Sequence, residues 1–132
     1  MSSCYTQFSC QLQFKYDVEK EWWIKAIASE EALNETDEDH IRPCVFNIEP
    51  DGVWFCAEES GDPYEVGCMV HKFFKELYPN GDDEFVITWA DTCGKMALDG
   101  FGGGTVVANK DGVGVCGYDS QADFARQNIK SI

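Results

Sequence analysis

The chain has 132 residues, 44% hydrophobic and 14% aromatic, with 24 acids against 10 bases and a formal charge of −14. A domain of this size buries roughly two-thirds of its unfolded surface, so the composition excludes a disordered chain, and no apolar run is long enough to span a bilayer as a helix. The few scattered Lys and Arg residues exclude direct binding to a nucleic-acid backbone, which needs them clustered.

Gln7–Tyr16 alternates polar and apolar residues without a break. That period predicts a half-buried strand with Phe8, Cys10, Leu12, Phe14 and Tyr16 on its inner face. Asp17 is placed to cap a following helix, and Glu19 and Glu21 suit the positive end of its dipole. In that helix Trp22 or Trp23, Ala26, Ile27 and Leu33 recur at helical spacing, before a charged loop from Asn34 to His40. One of the two tryptophans must lie off the buried stripe, where an exposed ring could anchor a partner.

Cys44–Glu49 and Val53–Glu58 flank Pro50-Asp51-Gly52, the pattern of a β-hairpin. Asp62-Pro63 then opens a second helix, with Asp at the cap and Pro at the first helical position. Val66, Met69, Val70, Phe73 and Leu77 form its apolar stripe, His71 is expected on its solvent side, and Pro79-Asn80-Gly81 stops it. Phe85–Ala90 reads as a fourth strand. Thr105–Ala108 and Val113–Cys116 bracket a second hairpin turn, and Ser120–Asp123 resembles an acidic capping box opening a short terminal helix.

The order β-α-β-β-α-β, followed by a hairpin and a helix, predicts one α+β domain over 1–132. Its first six elements follow the ferredoxin-like split pattern, two helices on one face of an antiparallel sheet, with the hairpin and short helix added C-terminally. If the first strand runs upward, the connection after the first helix, the connection after the third strand and the loop after the fourth all fall at its lower end.

The charge is uneven. Residues 30–65 carry twelve acids against one base, Arg42, whereas residues 1–29 are neutral. Glu30, Glu31, Glu35, Asp37, Glu38 and Asp39 on one segment, with Glu58, Glu59 and Asp62 on another, are thus expected to share one pole and to face a basic partner. The alternative is a solvated face that keeps the protein soluble.

The seven cysteines are odd in number and include no Cys-x-x-Cys pair, which argues for reduced core fillers and against a disulfide framework or zinc site. Residues 1–7 carry neither a basic region nor an apolar signal core, so the expected location is cytoplasmic. The acidic loop lacks the calcium-loop pattern. No cofactor and no metal is expected.

One stretch departs from what a core needs: Trp89-Ala90-Asp91-Thr92-Cys93-Gly94-Lys95, then Asp99-Gly100-Phe101-Gly102-Gly103-Gly104. Together with Trp54-Phe55 and the turn Glu58-Glu59-Ser60-Gly61-Asp62-Pro63, it resembles a family of small, largely uncharacterised bacterial and phage proteins. The resemblance covers most of residues 44–108 and implies a phage or mobile-element setting; it carries no activity or cofactor. In that family the lysine is commonly followed by Pro-Arg, where this chain has Met96-Ala97.

Two functional readings follow. The first is a non-catalytic acidic protein whose carboxylates imitate a phosphate backbone and inhibit a host nucleic-acid-binding or defence complex, as an anti-CRISPR does. The second is a small-molecule or nucleotide-binding module formed by Trp89, Thr92, Cys93, Lys95 and the loop Phe101–Gly104. Its glycines lead into a strand and no Gly-Lys-Ser/Thr follows, which points to a bulge or close backbone approach rather than a phosphate cradle. Cys93 has Lys95 near it in sequence, but a catalytic thiolate needs a base in reach, and the two histidines, His40 and His71, lie far along the chain.

Overall fold

Alternation along the first strand decides which side of the sheet receives the helices. The computed structural model describes residues 4–36, 42–93, 101–117, 126 and 129–130. In β1 (Cys4–Gln13) Phe8 and Leu12 are buried and Cys10 half-buried, whereas Ser9 and Gln13 are exposed. The strand stops at Gln13, and Tyr16, expected on the inner face, is 65% exposed. The backbone leaves the ladder here: the Phe14 N–H donates to the Asp51 carbonyl and the Lys15 N–H to the Glu19 carboxylate.

Helix α1 (Asp17–Thr36) includes Asp17 rather than being capped by it, and runs past the expected stop at Asn34. Trp23 is the buried member of the tryptophan pair, with its ring 5.2 Å from Phe55 and 5.5 Å from Phe73. Trp22 is not an exposed anchor. It is half-buried, lies edge-on to Trp23 and Phe73, and donates its Nε1–H to Glu76 on the other helix.

The hairpin of β2 (Val45–Glu49) and β3 (Gly52–Ala57) follows the predicted turn. Helix α2 (Pro63–Leu77) opens as its sequence dictates: the Asp62 side chain accepts from the Glu65 N–H at 3.1 Å, and Pro63 occupies the first helical position. Val66, Val70 and Phe73 of its stripe are buried. His71, expected in solvent, is also buried, and its Nδ1–H donates to the Asn109 carbonyl at 2.8 Å. The helix lies so close to the sheet that its flank is covered: a Cβ at Gly67 would stand 2.7 Å from Val106 Cγ1.

β4 (Glu84–Cys93), β5 (Phe101–Asn109) and β6 (Gly112–Gly117) complete the chain of strands. At the last turn the Asn109 side-chain oxygen accepts from the Asp111 and Gly112 N–H groups, the local bond that makes Asn a turn former. The result is an α+β fold. Its six-stranded antiparallel sheet has the order β2-β3-β1-β4-β5-β6, and the hairpin β5–β6 extends the sheet beyond β4.

One buried cluster draws on every strand and both helices, centred on Trp23, Phe55, Phe73 and Ile87. A smaller one, Val107 and Cys116 with Val86 and Ile129, lies on the other face, and Lys130 bridges Val113 along the edge of β6. Cys44 and Cys116 are buried and Cys10, Cys56 and Cys68 half-buried. Burial pushes the Cys10 thiol up to about 12 and the Cys44 thiol up as well. No described helix is long and apolar enough to cross a membrane. The expected terminal helix from Ser120 lies mostly outside the described residues; Arg126 is helical.

Candidate functional site

The turn Glu58–Asp62 is built onto the sheet rather than hanging from it. After β3 the chain doubles back alongside β1, so that Ser60 pairs with Thr6 in parallel although β3 itself is antiparallel to β1. The Thr6 N–H donates to the Glu59 carbonyl at 2.9 Å and the Gly61 N–H to the Thr6 carbonyl at 3.1 Å. The Gln7 amide donates to the Glu58 carbonyl. Gly61 sits where a Cβ would meet the Phe8 ring at 2.4 Å, so the turn has no room to shift inward.

Thr6 also joins this turn to β4. Its hydroxyl donates to Asp91 Oδ1 at 2.9 Å, while the Trp89 Nε1–H donates to Asp91 Oδ2 at 3.1 Å. From the other side the Asp62 N–H donates to the Pro43 carbonyl, and neighbouring Arg42 pairs with Glu31 near the end of α1. The pole therefore gathers Glu31, Glu58, Glu59, Asp62 and Asp91 through an unbroken chain of contacts. Glu58, Glu59, Asp62 and Asp91 are exposed there, as is Glu35 on the last turn of α1; Glu30 and Glu31 are half-buried. That last turn holds no base, so Glu35 sits at the negative end of the helix dipole, where an acid destabilises. Asp37, Glu38 and Asp39 lie outside the described residues.

The second candidate, the glycine loop, takes a different form from the one expected. Phe101–Gly104 is the first part of β5, paired with β4 so that Thr92 faces Phe101, Asp91 faces Gly102 and Trp89 faces Gly104. The reason is steric. The Trp89 ring lies across Gly104, and a Cβ there would stand 2.2 Å from its Cη2 and 2.5 Å from the Cys116 carbonyl oxygen. At Gly103, φ is +158°, extended backbone, and a Cβ would lie 2.4 Å from the Trp89 carbonyl oxygen. Gly104 therefore seats an indole on the sheet, and Gly103 admits the close approach of the β4 backbone. Thr92 and Cys93 lie on β4, with Cys93 opposite Cys4 in the register. Lys95 lies outside the described residues, as do the side chains of Thr92, Cys93 and Phe101.

Sequence reading missed Thr6 and Asp91, which knit the pole, and Tyr78, whose hydroxyl donates to Glu19 Oε2 at 2.7 Å. Asp91 stood inside the conspicuous motif, two residues beyond Trp89, and could have been found as an indole N–H acceptor of its own strand face. Compared with protein-family models, curated proteins and solved structures, the chain matches none.

Proposed function

We propose that this protein is a non-catalytic acidic binding protein whose carboxylate pole engages a basic surface on a nucleic-acid-binding or defence complex and inhibits it. The observation that carries the reading is the fastening of the acidic turn Glu58–Asp62 to central strand β1, beside Asp91 and the Glu31–Arg42 pair. A solubilising face needs exposure alone. A recognition face needs its charges at fixed spacing, which the backbone bonds at Thr6 provide. Among the described residues Arg42 is the one base in this array, so the field is of one sign and favours fast encounter with a cationic groove. The setting in this reading is a phage or mobile element, as the resemblance expected from the sequence implies.

The first six elements, in this reading, form a ferredoxin-like unit carrying the pole at its lower end. The contiguous strands β4-β1-β3-β2, with β1 central and all neighbours antiparallel, support it.

The test is capture of a partner from host lysate by the wild type and by a variant carrying Glu58→Gln, Glu59→Gln and Asp62→Asn. A nucleic-acid-binding complex should be retained at about 50 mM salt, shed by about 200 mM, and displaced by its own nucleic acid. Retention indifferent to both salt and the substitutions would remove the charge-mimic reading.

A further inference from the structure

The opposite end of the sheet, where α1 begins and α2 ends, holds a cavity of about 280 Å³. Three carboxylates line it, and two have a cation: Asp83 pairs with Lys15 at 3.5 Å, and Glu84 with Arg126 at 2.7 Å. The third, Glu19, is only 3% exposed, yet it has no cationic partner among the described residues. Its hydrogen bonds, from the Tyr78 hydroxyl at 2.7 Å and the Lys15 N–H at 3.3 Å, both go to Oε2, and Oε1 receives none from the described residues.

A buried carboxylate without a counter-charge is costly, and a cation beside it recovers that cost. The remaining wall includes Phe74 and Phe85, with Gln11 and Gln13. The three carboxylates are not grouped to hold a metal ion, and no such group of His, Cys, Asp or Glu occurs among the described residues, whereas aromatic rings attract an alkylammonium through their negative face. Lys15 does not fill the role, since its ammonium is engaged at the rim with Asp83. Burial, followed by the bond to Glu19, pushes the Tyr78 phenol up to about 12, so the hydroxyl stays a donor throughout the physiological range.

We propose that this cavity binds a small organic cation, its ammonium group beside Glu19 and its alkyl groups against Phe74 and Phe85. The site is separate from the acidic pole and independent of the partner proposed above.

The test compares choline with its uncharged carbon isostere, 3,3-dimethyl-1-butanol, by calorimetry and by amide chemical-shift mapping on the intact chain. Choline should bind, with shifts concentrated at residues 15–19, 73–78 and 83–85, and the isostere should bind about tenfold more weakly or worse. Glu19→Gln should abolish choline binding, while the Glu58→Gln, Glu59→Gln, Asp62→Asn variant should retain it. Equal affinity for the two probes, no binding of choline to the wild type, or shifts confined to the acidic pole would each overturn the proposal. The wild-type comparison decides the matter even if Glu19→Gln fails to fold.

Discussion

Gly104→Ala tests whether the glycines before β5's valines seat an indole or serve a ligand. The added methyl would lie 2.2 and 2.4 Å from two carbons of the Trp89 ring and 2.5 Å from the Cys116 carbonyl oxygen. The ring can swing away, but the carbonyl belongs to the neighbouring strand and can move only with β6. Overpacking of this kind costs about 1–3 kcal/mol, and the immovable Cys116 carbonyl places the cost toward the upper end. Replacing a strand glycine returns roughly 0.5–1 kcal/mol of backbone entropy. The net expectation is about 2 kcal/mol of destabilisation, which for a chain of this length lowers the melting temperature by roughly 6–10 °C.

The assay is urea unfolding followed by far-ultraviolet circular dichroism and tryptophan fluorescence, on Gly104→Ala, Trp89→Leu and the double variant. Because a smaller side chain at 89 removes the ring clash but not the carbonyl clash, the double variant should recover about half the loss, a coupling of about 1 kcal/mol. A Gly104→Ala protein within about 0.5 kcal/mol of the wild type would refute the packing account, that being the ordinary range for a substitution without structural consequence. The glycine run would then return to consideration as a ligand loop.

Trp23→Ala should cost about 3–5 kcal/mol, because its fully buried ring packs on both Phe55 and Phe73; calorimetric melting checks it. Tyr78→Phe leaves Glu19 with one donor fewer and should destabilise by about 1–3 kcal/mol at neutral pH, read by urea unfolding. The Tyr78 phenol is raised in the folded state, so its contribution to stability is complete below pH about 10, its unfolded value, and is lost as pH rises toward about 12. Alkaline unfolding midpoints should therefore fall through that window in the wild type more than in Tyr78→Phe. Because burial raises both Cys10 and Cys44, iodoacetamide at mildly alkaline pH should leave both largely unmodified in the folded protein and label them once urea unfolds it, as peptide mass spectrometry will show.

Period-two and period-3.6 patterns made the strands and helices legible, since Phe8, Leu12, Val66, Val70 and Phe73 are where those periods place them. Boundaries failed where a side chain competes with the ladder. Tyr16 continues the alternation, but the Glu19 carboxylate captures the Lys15 N–H and turns the chain into α1. His71 was misplaced because it flanks the α2 stripe on the side where Gly67 admits the sheet, and its partner is a carbonyl 38 residues away. The glycine run reads as a loop in isolation; only the pairing of Trp89 with Gly104 shows that a strand needs it. Element order alone predicts one pole for the acids, whereas the bonds that hold the Glu58–Asp62 turn depend on Thr6, a residue with no signature in sequence.

That immobilisation has a kinetic consequence. On the proposed function, a partner docking on Glu58–Asp62 would meet a turn already bonded to β1, so no loop would have to be frozen at the moment of contact. Without a folding step, that encounter would be limited by diffusion and by the field of the pole, so added salt should slow arrival far more than it hastens departure.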